Sequence, residues 1–275
     1  MSAPSLSLIL TTYNWPQALQ LVLASLEQQD DRDFEVLVAD DGSGPDTADL
    51  IARFQGPGRL NPRHVWHPDQ GFRAAEIRNR AAALARGAYL VFLDGDCLTR
   101  PGFIRRHRAL AQPGWLVAGN RVLLSAGLTQ TLLADPDRLA ISHWGPARWL
   151  GARWRHQANR LLPLVYLPGR WWRRLQPDRW QGARTCNLGL WRADFLTVNG
   201  FDERYQGWGY EDSDLVIRLL KTGVARLDGR HATGVLHLWH PEQARDRGAT
   251  NLARLLQVQK TGQVRALTGV DRHLP

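Results

Sequence analysis

The sequence predicts an α/β chain: a Rossmann-like, mixed but mainly parallel sheet flanked by helices, in a single compact domain. Three observations carry this. Apolar β-prone runs alternate with helical patterns from Ser5 to Asp96, the order that βαβ units require. The run Tyr89-Leu90-Val91-Phe92-Leu93 is apolar throughout, as a strand covered on both faces must be. Polar clusters follow three of the runs, at Thr11 to Asn14, Asp40-Asp41 and Asp94-Gly95-Asp96. In open α/β sheets the carboxyl ends of the strands are where ligands bind.

The elements follow in order. Ser5 to Leu10 is a short strand. Pro16 opens a helix in which Ala18, Leu19, Val22, Leu23 and Leu26 share one face. Phe34 to Ala39 is a strand, Pro45 to Phe54 a short helix, and His64-Val65-Trp66 a third strand. Ala74 to Arg86 reads as a helix stopped by Gly87, and Tyr89 to Leu93 is the buried strand. Residues 124–184 show weak periodicity. Beyond them come a strand at Cys186 to Trp191, a short helix at Ala193 to Val198 and a turn at Asn199-Gly200-Phe201-Asp202. A helix from Glu211 to Leu220, a last strand from Val235 to Trp239 and a C-terminal helix from Asn251 to Leu267 complete the chain.

Composition narrows the class. Of 275 residues, 44% are apolar and 22% charged, which excludes general disorder. The net charge is +9, and 33 of the 35 basic residues are arginines. Trp144 to Arg184 holds nine arginines and one acid, Asp178, so this stretch alone carries +8; it also holds six of the 12 tryptophans. Cys97 and Cys186 lie in no metal-ligand spacing, which argues against a disulfide framework and for a reducing compartment. No apolar run approaches the roughly 18–20 residues that span a bilayer, and no signal-peptide pattern opens the chain. The expectation is a soluble or peripheral cytoplasmic protein.

The acidic turn has a chemical reading. Hard divalent cations prefer carboxylate oxygens, and such a cation neutralises a leaving diphosphate. Asp94-Gly95-Asp96 offers two carboxylates just past a buried strand, with Gly95 removing side-chain bulk so that a ligand can approach the backbone. Isolated triplets of this kind are common on surfaces, so its position is what gives it weight. Arg73 and Arg78 lie near the start of the helix at Ala74, where a guanidinium and a helix N-terminus both suit a phosphate. A solvated helix face is the plainer alternative.

Leu8 to Asn14, Val38-Ala39-Asp40-Asp41-Gly42-Ser43 and Phe92 to Asp96 together resemble the three N-terminal signatures of inverting family 2 glycosyltransferases with the GT-A fold. The resemblance implies that Thr11 and Asp41 line a uracil and ribose pocket, that Asp94 lies near the ribose and that Asp96 ligates the metal, Mn²⁺ or Mg²⁺. It groups Tyr13, Asn14, Gly95, Arg73, Arg78 and Asn79 with the donor contacts and leaves Asp40 a more structural part. Gly207-Trp208-Gly209-Tyr210-Glu211-Asp212 is similar to the Trp-Gly-x-Glu-Asp motif of β-1,4-galactosyltransferases and chondroitin-type polymerases, and Asn199 to Glu203 matches the same group. This implies Asp212 as catalytic base, Glu211 as an acceptor-positioning carboxylate, and Trp208, with Gly209 and Tyr210, as an acceptor platform. Asp214 reads instead as a helix-starting acid. In His237-Leu238-Trp239-His240 the resemblance implies a histidine that completes the metal site; His237 aligns better and His240 is the alternative.

The resemblance covers residues 5–120 and 185–245. It implies a nucleotide-sugar-binding half (1–120) and an acceptor half with a C-terminal helix (185–275), separated by a Trp/Arg-rich insert (121–184). It implies transfer from a nucleotide diphosphate sugar, UDP-linked by preference, to a saccharide or lipid-linked hydroxyl in bacterial surface-polysaccharide or lipopolysaccharide assembly. Arg153-Trp154-Arg155 and Arg170-Trp171-Trp172-Arg173-Arg174 suit an anionic membrane surface, such as the inner face of an inner membrane, or an anionic acceptor saccharide; a partly buried insert laced by cation–π contacts, with solvated arginines, is the plainer alternative. A basic nucleic-acid-binding protein is the main rival. It fits poorly with acids at the ligand edge of the sheet, so no nucleic-acid partner is expected. A nucleotidyltransferase would show a glycine-rich loop after the first strand, where this chain has Thr11-Thr12-Tyr13-Asn14.

Overall fold

The computed structural model describes residues 5–169, 171–241 and 247–274, with backbone only for 136–139. Arg170 lies outside the described residues. The first half runs β1 (Leu6–Thr12), α1 (Pro16–Glu27), β2 (Phe34–Asp40), α2 (Pro45–Ala52), β3 (Arg63–Trp66), α3 (Ala74–Leu84), β4 (Tyr89–Asp94), β5 (Cys97–Leu98), α4 (Phe103–Leu110), β6 (Trp115–Ala118) and β7 (Arg121–Leu123). There follow α5 (Ala126–Ala134), α6 (Pro146–Trp154), β8 (Asn187–Trp191), α7 (Arg192–Thr197), α8 (Glu211–Lys221), β9 (Ala225–Asp228), β10 (Val235–His237) and α9 (Gly248–Lys260).

Seven strands form the main sheet in the order β3-β2-β1-β4-β8-β6-β9. The first four are parallel, while β8 runs antiparallel to both β4 and β6. Both faces are covered, as the unbroken apolar runs required. Leu8, Leu10, Val36, Val38, Val91 and Leu93 pack under α1. Ile9, Leu37, Leu90 and Phe92, alternating with them, pack on the opposite face with Ile77 and Ala81 of α3. Register then aligns the strand ends: Thr12 sits opposite Asp40 and Thr11 opposite Asp94.

Three sequence expectations shift. The helix expected to run to Arg86 ends at Leu84, and Gly87 is no αL cap. A Cβ there would fall 2.6 Å from the Ser7 backbone N, so the glycine admits β1 instead. The strand at Val235 joins not the main sheet but a three-stranded one, β5-β10-β7. The C-terminal helix stops at Lys260, where Thr261 turns extended before Gly262.

The Trp/Arg segment folds against the rest. Trp149 and Ala152 of α6 enter the α1-side core with Leu124 and Ile141. Arg173 is buried, and its donors reach the carbonyls of Leu167, Gly169, Asp228, Arg230 and His231. One side chain thereby fastens the segment to the β9–β10 connection. Among the described residues no helix is long and apolar enough to cross a membrane.

Candidate active site

The carboxyl ends of β1, β2 and β4 form one wall. Asn14, held at φ 44°, joins two loops: its N–H donates to Ser43 Oγ (2.8 Å) and its Oδ1 accepts from Gly44 N (3.0 Å). The Tyr13 hydroxyl donates to Asp69 Oδ2 at 2.9 Å. Asp41 is buried, with Oδ1 2.8 Å from His67 Nε2 and Oδ2 accepting from the Arg73 backbone N–H (2.8 Å). Burial pushes its carboxyl up, against the pull of those two partners. Asp40 accepts from Ser43 N and faces His64, which suits the structural part expected of it. The Arg73 side chain reaches Glu76.

Arg78 is the hub. Its guanidinium donates to Thr11 Oγ1 (3.0 Å), Asp94 Oδ1 (3.2 Å) and Glu211 Oε1 (3.3 Å), and stands 3.8 Å from Asp212 Oδ1. One cation therefore ties the Asp94–Asp96 turn to the Glu211–Asp212 pair. Burial disfavours its charge, but Asp94, Asp212 and Glu211 together more than offset this and hold it protonated. The carboxylates respond individually. Burial, with Asp96 and Asp212 nearby, lifts Asp94 to about 6 against the pull of Arg78. Burial and the adjacent Asp212 lift Glu211 to about 7, and among the described residues its Oε2 has no hydrogen-bond partner.

Asn79 does not share this wall. It is fully buried, its amide nitrogen donating to Phe201 O and Glu203 Oε1 while its oxygen accepts from Phe201 N. It brackets α3 to the 201–203 turn, so the expected nucleotide contact has no free amide atom to make it. Gly95 also has a different reason from the one expected. A Cβ there would meet Thr11 O at 2.9 Å, so the missing side chain lets the turn close on β1.

Past the turn, Asp96 faces two histidines, with Oδ2 3.4 Å from His237 Nε2 and 3.2 Å from His240 Nε2. The three ligand atoms lie within 4.8 Å of one another. Ligands around an octahedral ion at about 2.1 Å stand roughly 3 Å apart, so this donor set fits a divalent cation with little movement. His240 Nδ1 meets the Pro241 carbonyl at 2.7 Å, which orients Nε2 toward Asp96. Burial disfavours the charged form of His237, leaving a neutral imidazole able to ligate. Both histidines thus stand at the cluster, where the sequence left a choice between them.

The opposite wall is the Gly207–Asp212 loop. Gly207 (φ 72°), Gly209 (φ 107°) and Tyr210 (φ 75°) all occupy the left-handed region, and Asn251 Nδ2 of α9 donates to the Gln206 and Gly209 carbonyls. The loop leaves the Trp208 and Tyr210 rings partly open to solvent. Asp212 is held from below: Thr185 Oγ1 donates to its Oδ1 (2.6 Å) and Thr185 N to its Oδ2 (3.2 Å). Asp214 turns inward instead, fully buried 2.7 Å from Arg218.

Thr185, His67 and Arg121 also touch or face the site, and the sequence does not point to them. Arg121 shares a β7–β10 face with His237; burial disfavours its charge, and the nearby Asp94 and Asp96 carboxylates support it. None of the three carries a local sequence signal, because each acts on a partner brought in by the sheet.

The model for glycosyl transferase family 2 matches residues 7–160, and that for the N-terminal domain of galactosyltransferase matches residues 176–240. Validoxylamine A glucosyltransferase of Streptomyces hygroscopicus subsp. jinggangensis is 32% identical over 245 residues, covering 84% of this chain and 55% of the relative. Hyaluronan synthase of Pasteurella multocida is 36% identical, covering 79% and 23%, and chondroitin synthase of Escherichia coli 32% identical, covering 79% and 32%. The chain thus spans about half or less of the length of these relatives. Among solved structures it is similar to mannosyltransferase PcManGT from Pyrobaculum calidifontis in complex with GDP-Man and Mn²⁺ (TM-score 0.58, 18% identity, 94% of this chain and 64% of that one). It is also similar to S. aureus TarS 1-349 in complex with UDP (TM-score 0.60, 14% identity, 98% and 68%). These likenesses identify the fold as GT-A.

Proposed function

The chain belongs to glycosyl transferase family 2, and from that premise we propose that it is a metal-dependent, inverting glycosyltransferase. It moves a sugar from a nucleoside diphosphate, UDP by preference, to a hydroxyl of a saccharide or lipid-linked acceptor. Assembly of a bacterial surface polysaccharide or lipopolysaccharide is the context that suits such an acceptor. The observation that carries the reading is the Arg78 bridge between the Asp94–Asp96 turn and Asp212, because it sets a diphosphate-side cluster against a base.

Asp96, His237 and His240 would hold the cation, whose charge offsets that gathering on the leaving diphosphate. Two imidazoles beside one carboxylate favour Mn²⁺ over Mg²⁺. Thr11, Tyr13, Asn14 and Asp41 line the nucleoside pocket, with Asp94 near the ribose and Arg78 and Arg73 on the phosphate side. Asp212 takes the proton of the attacking acceptor hydroxyl. Thr185 occupies both of its oxygens and so fixes which lone pair faces the acceptor. Glu211 positions the acceptor, and Trp208 and Tyr210 give its ring a stacking surface. A single base opposite the leaving group gives one in-line displacement, hence inversion.

The test is incubation with Mn²⁺ and a panel of nucleotide sugars while nucleoside diphosphate release is followed. Slow hydrolysis of one donor, abolished by chelator, is expected. No metal-dependent turnover or binding with any donor would defeat the reading.

A further inference from the structure

We propose that α6 is an interfacial helix that docks the enzyme on an anionic bilayer. On most surface helices of a compact domain the apolar stripe faces the core and the charged stripe faces water. Helix α6 has a second apolar stripe pointing outward. Its inner face is Trp149 and Ala152, which are buried in the α1-side core. Its outer face is Ala147, Leu150, Gly151 and Trp154, at spacings i, i+3, i+4 and i+7 on the side opposite Trp149 and Ala152. Leu150 is 63% exposed and Trp154 83% exposed, the largest exposure of a large hydrophobic side chain among the described residues.

Cations frame this stripe. At 100° per residue Arg153 falls on one flank, and Arg148 and the capping Arg155 fall on the other. All three are exposed, and among the described residues none has an ion pair. Between Trp144 and Arg184 the sequence offers a single acid against nine arginines. An apolar ridge flanked on both sides by arginines matches the layering of a membrane surface. The Trp and Leu enter the headgroup–acyl boundary, and the guanidiniums meet the lipid phosphates beside it. A protein partner would need its own acidic rim around an apolar groove, which makes it the less economical fit.

The position of the helix gives docking a consequence. The chain leaving α6 lies along β7: Ser125 N donates to Gln157 O (3.0 Å) and Asn159 N to Leu123 O (3.1 Å). Strand β7 pairs with β10, which carries His237. Two strand spacings, about 10 Å, therefore separate this edge from the candidate metal cluster, so docking would bring the site close to acceptors held at the bilayer.

The test is co-sedimentation with vesicles of phosphatidylglycerol and phosphatidylcholine against phosphatidylcholine alone, at low and high salt. The wild type is expected to bind the anionic vesicles and to be released by salt. Each arginine near such a surface strengthens partitioning about fivefold, so R148Q/R153Q/R155Q should weaken binding about a hundredfold. L150S/W154S should weaken it at least tenfold. Because these side chains are exposed, both variants should keep the wild-type melting temperature and turnover of a soluble nucleotide sugar, which separates this inference from the transferase reading. Failure of the wild type to bind anionic vesicles at low salt would overturn the proposal. So would binding that neither variant weakens, or self-association through α6 that excludes vesicles.

Discussion

Two acids two residues apart show how burial and partners separate roles. Asp212 is partly exposed and held by Thr185, whereas Asp214 is fully buried against Arg218. Thr185→Val removes the hydroxyl donor but leaves the backbone N–H. It should lower kcat for transfer about 10- to 100-fold while donor KM stays within about twofold, and Thr185→Ser should restore the rate; the geometric precision that a positioned base needs sets that scale. Steady-state kinetics on both variants checks this, and a loss confined to donor KM would contradict the positioning role. His107 gives a stability prediction. Burial holds its imidazole down at about 4, with Nε2 donating to the Asn187 oxygen. Its folded value lies below the unfolded one, about 6.5, so the folded state favours the neutral ring. The associated stability is complete above about pH 6.5 and is lost as pH falls toward 4, by about 3 kcal/mol. Urea titrations between pH 4 and 7 should show that slope in the wild type and a shallower one in His107→Gln, which keeps a donor for Asn187. The acids and histidines of the site were readable as residues because each follows a strand or opens a helix. Thr185, His67 and Arg121 were not, since the first meets Asp212 from 27 residues away and the second meets Asp41 from 26. Asn79 shows the opposite failure, a motif position drawn into the core by Phe201 and Glu203.

At the scale of elements, α8 is the piece that presents the base. Its first turn carries Glu211, Asp212 and Asp214, and the Asp214–Arg218 pair fastens it to the Val198 and Gly200 carbonyls through the same guanidinium. Breaking a buried pair leaves an uncompensated charge, which costs about 3–5 kcal/mol. Asp214→Asn should therefore lower stability by that order in chemical denaturation, while Asp212→Asn changes it by less than about 1 kcal/mol and removes transfer. Equal destabilisation by both would show that Asp212 is structural too. The long parallel strands were legible because apolar runs of five to seven residues leave little alternative. Strands β6, β7 and β9 span only three or four residues, too short for a period to declare itself. The end of α3 was misjudged because Gly87 suggests a cap when its real reason is the approach of Ser7.

Across the whole molecule, Arg78 couples two halves of the chain that are 133 residues apart at Glu211. The order of the motifs already implied a donor half and an acceptor half. The second sheet was not implied, because its three strands are gathered from residues 97, 121 and 235 onward. That sheet sets His237 beside Asp96. Ligands that bind only the folded state stabilise it by mass action, by about 2.7 kcal/mol at a hundredfold excess over Kd. Mn²⁺ and UDP together should accordingly raise the melting temperature by several degrees, and UDP with chelator by much less.

Calorimetric titration of UDP in the presence of Mn²⁺ into wild type, Asp96→Asn and Asp212→Asn, with transfer measured in parallel, tests the division of labour most directly. Asp96→Asn should weaken metal-dependent UDP binding at least tenfold. Asp212→Asn should bind UDP as the wild type does and lose transfer by about 10²- to 10⁴-fold. Undiminished metal-dependent binding by Asp96→Asn, or near-normal transfer by Asp212→Asn, would contradict these roles.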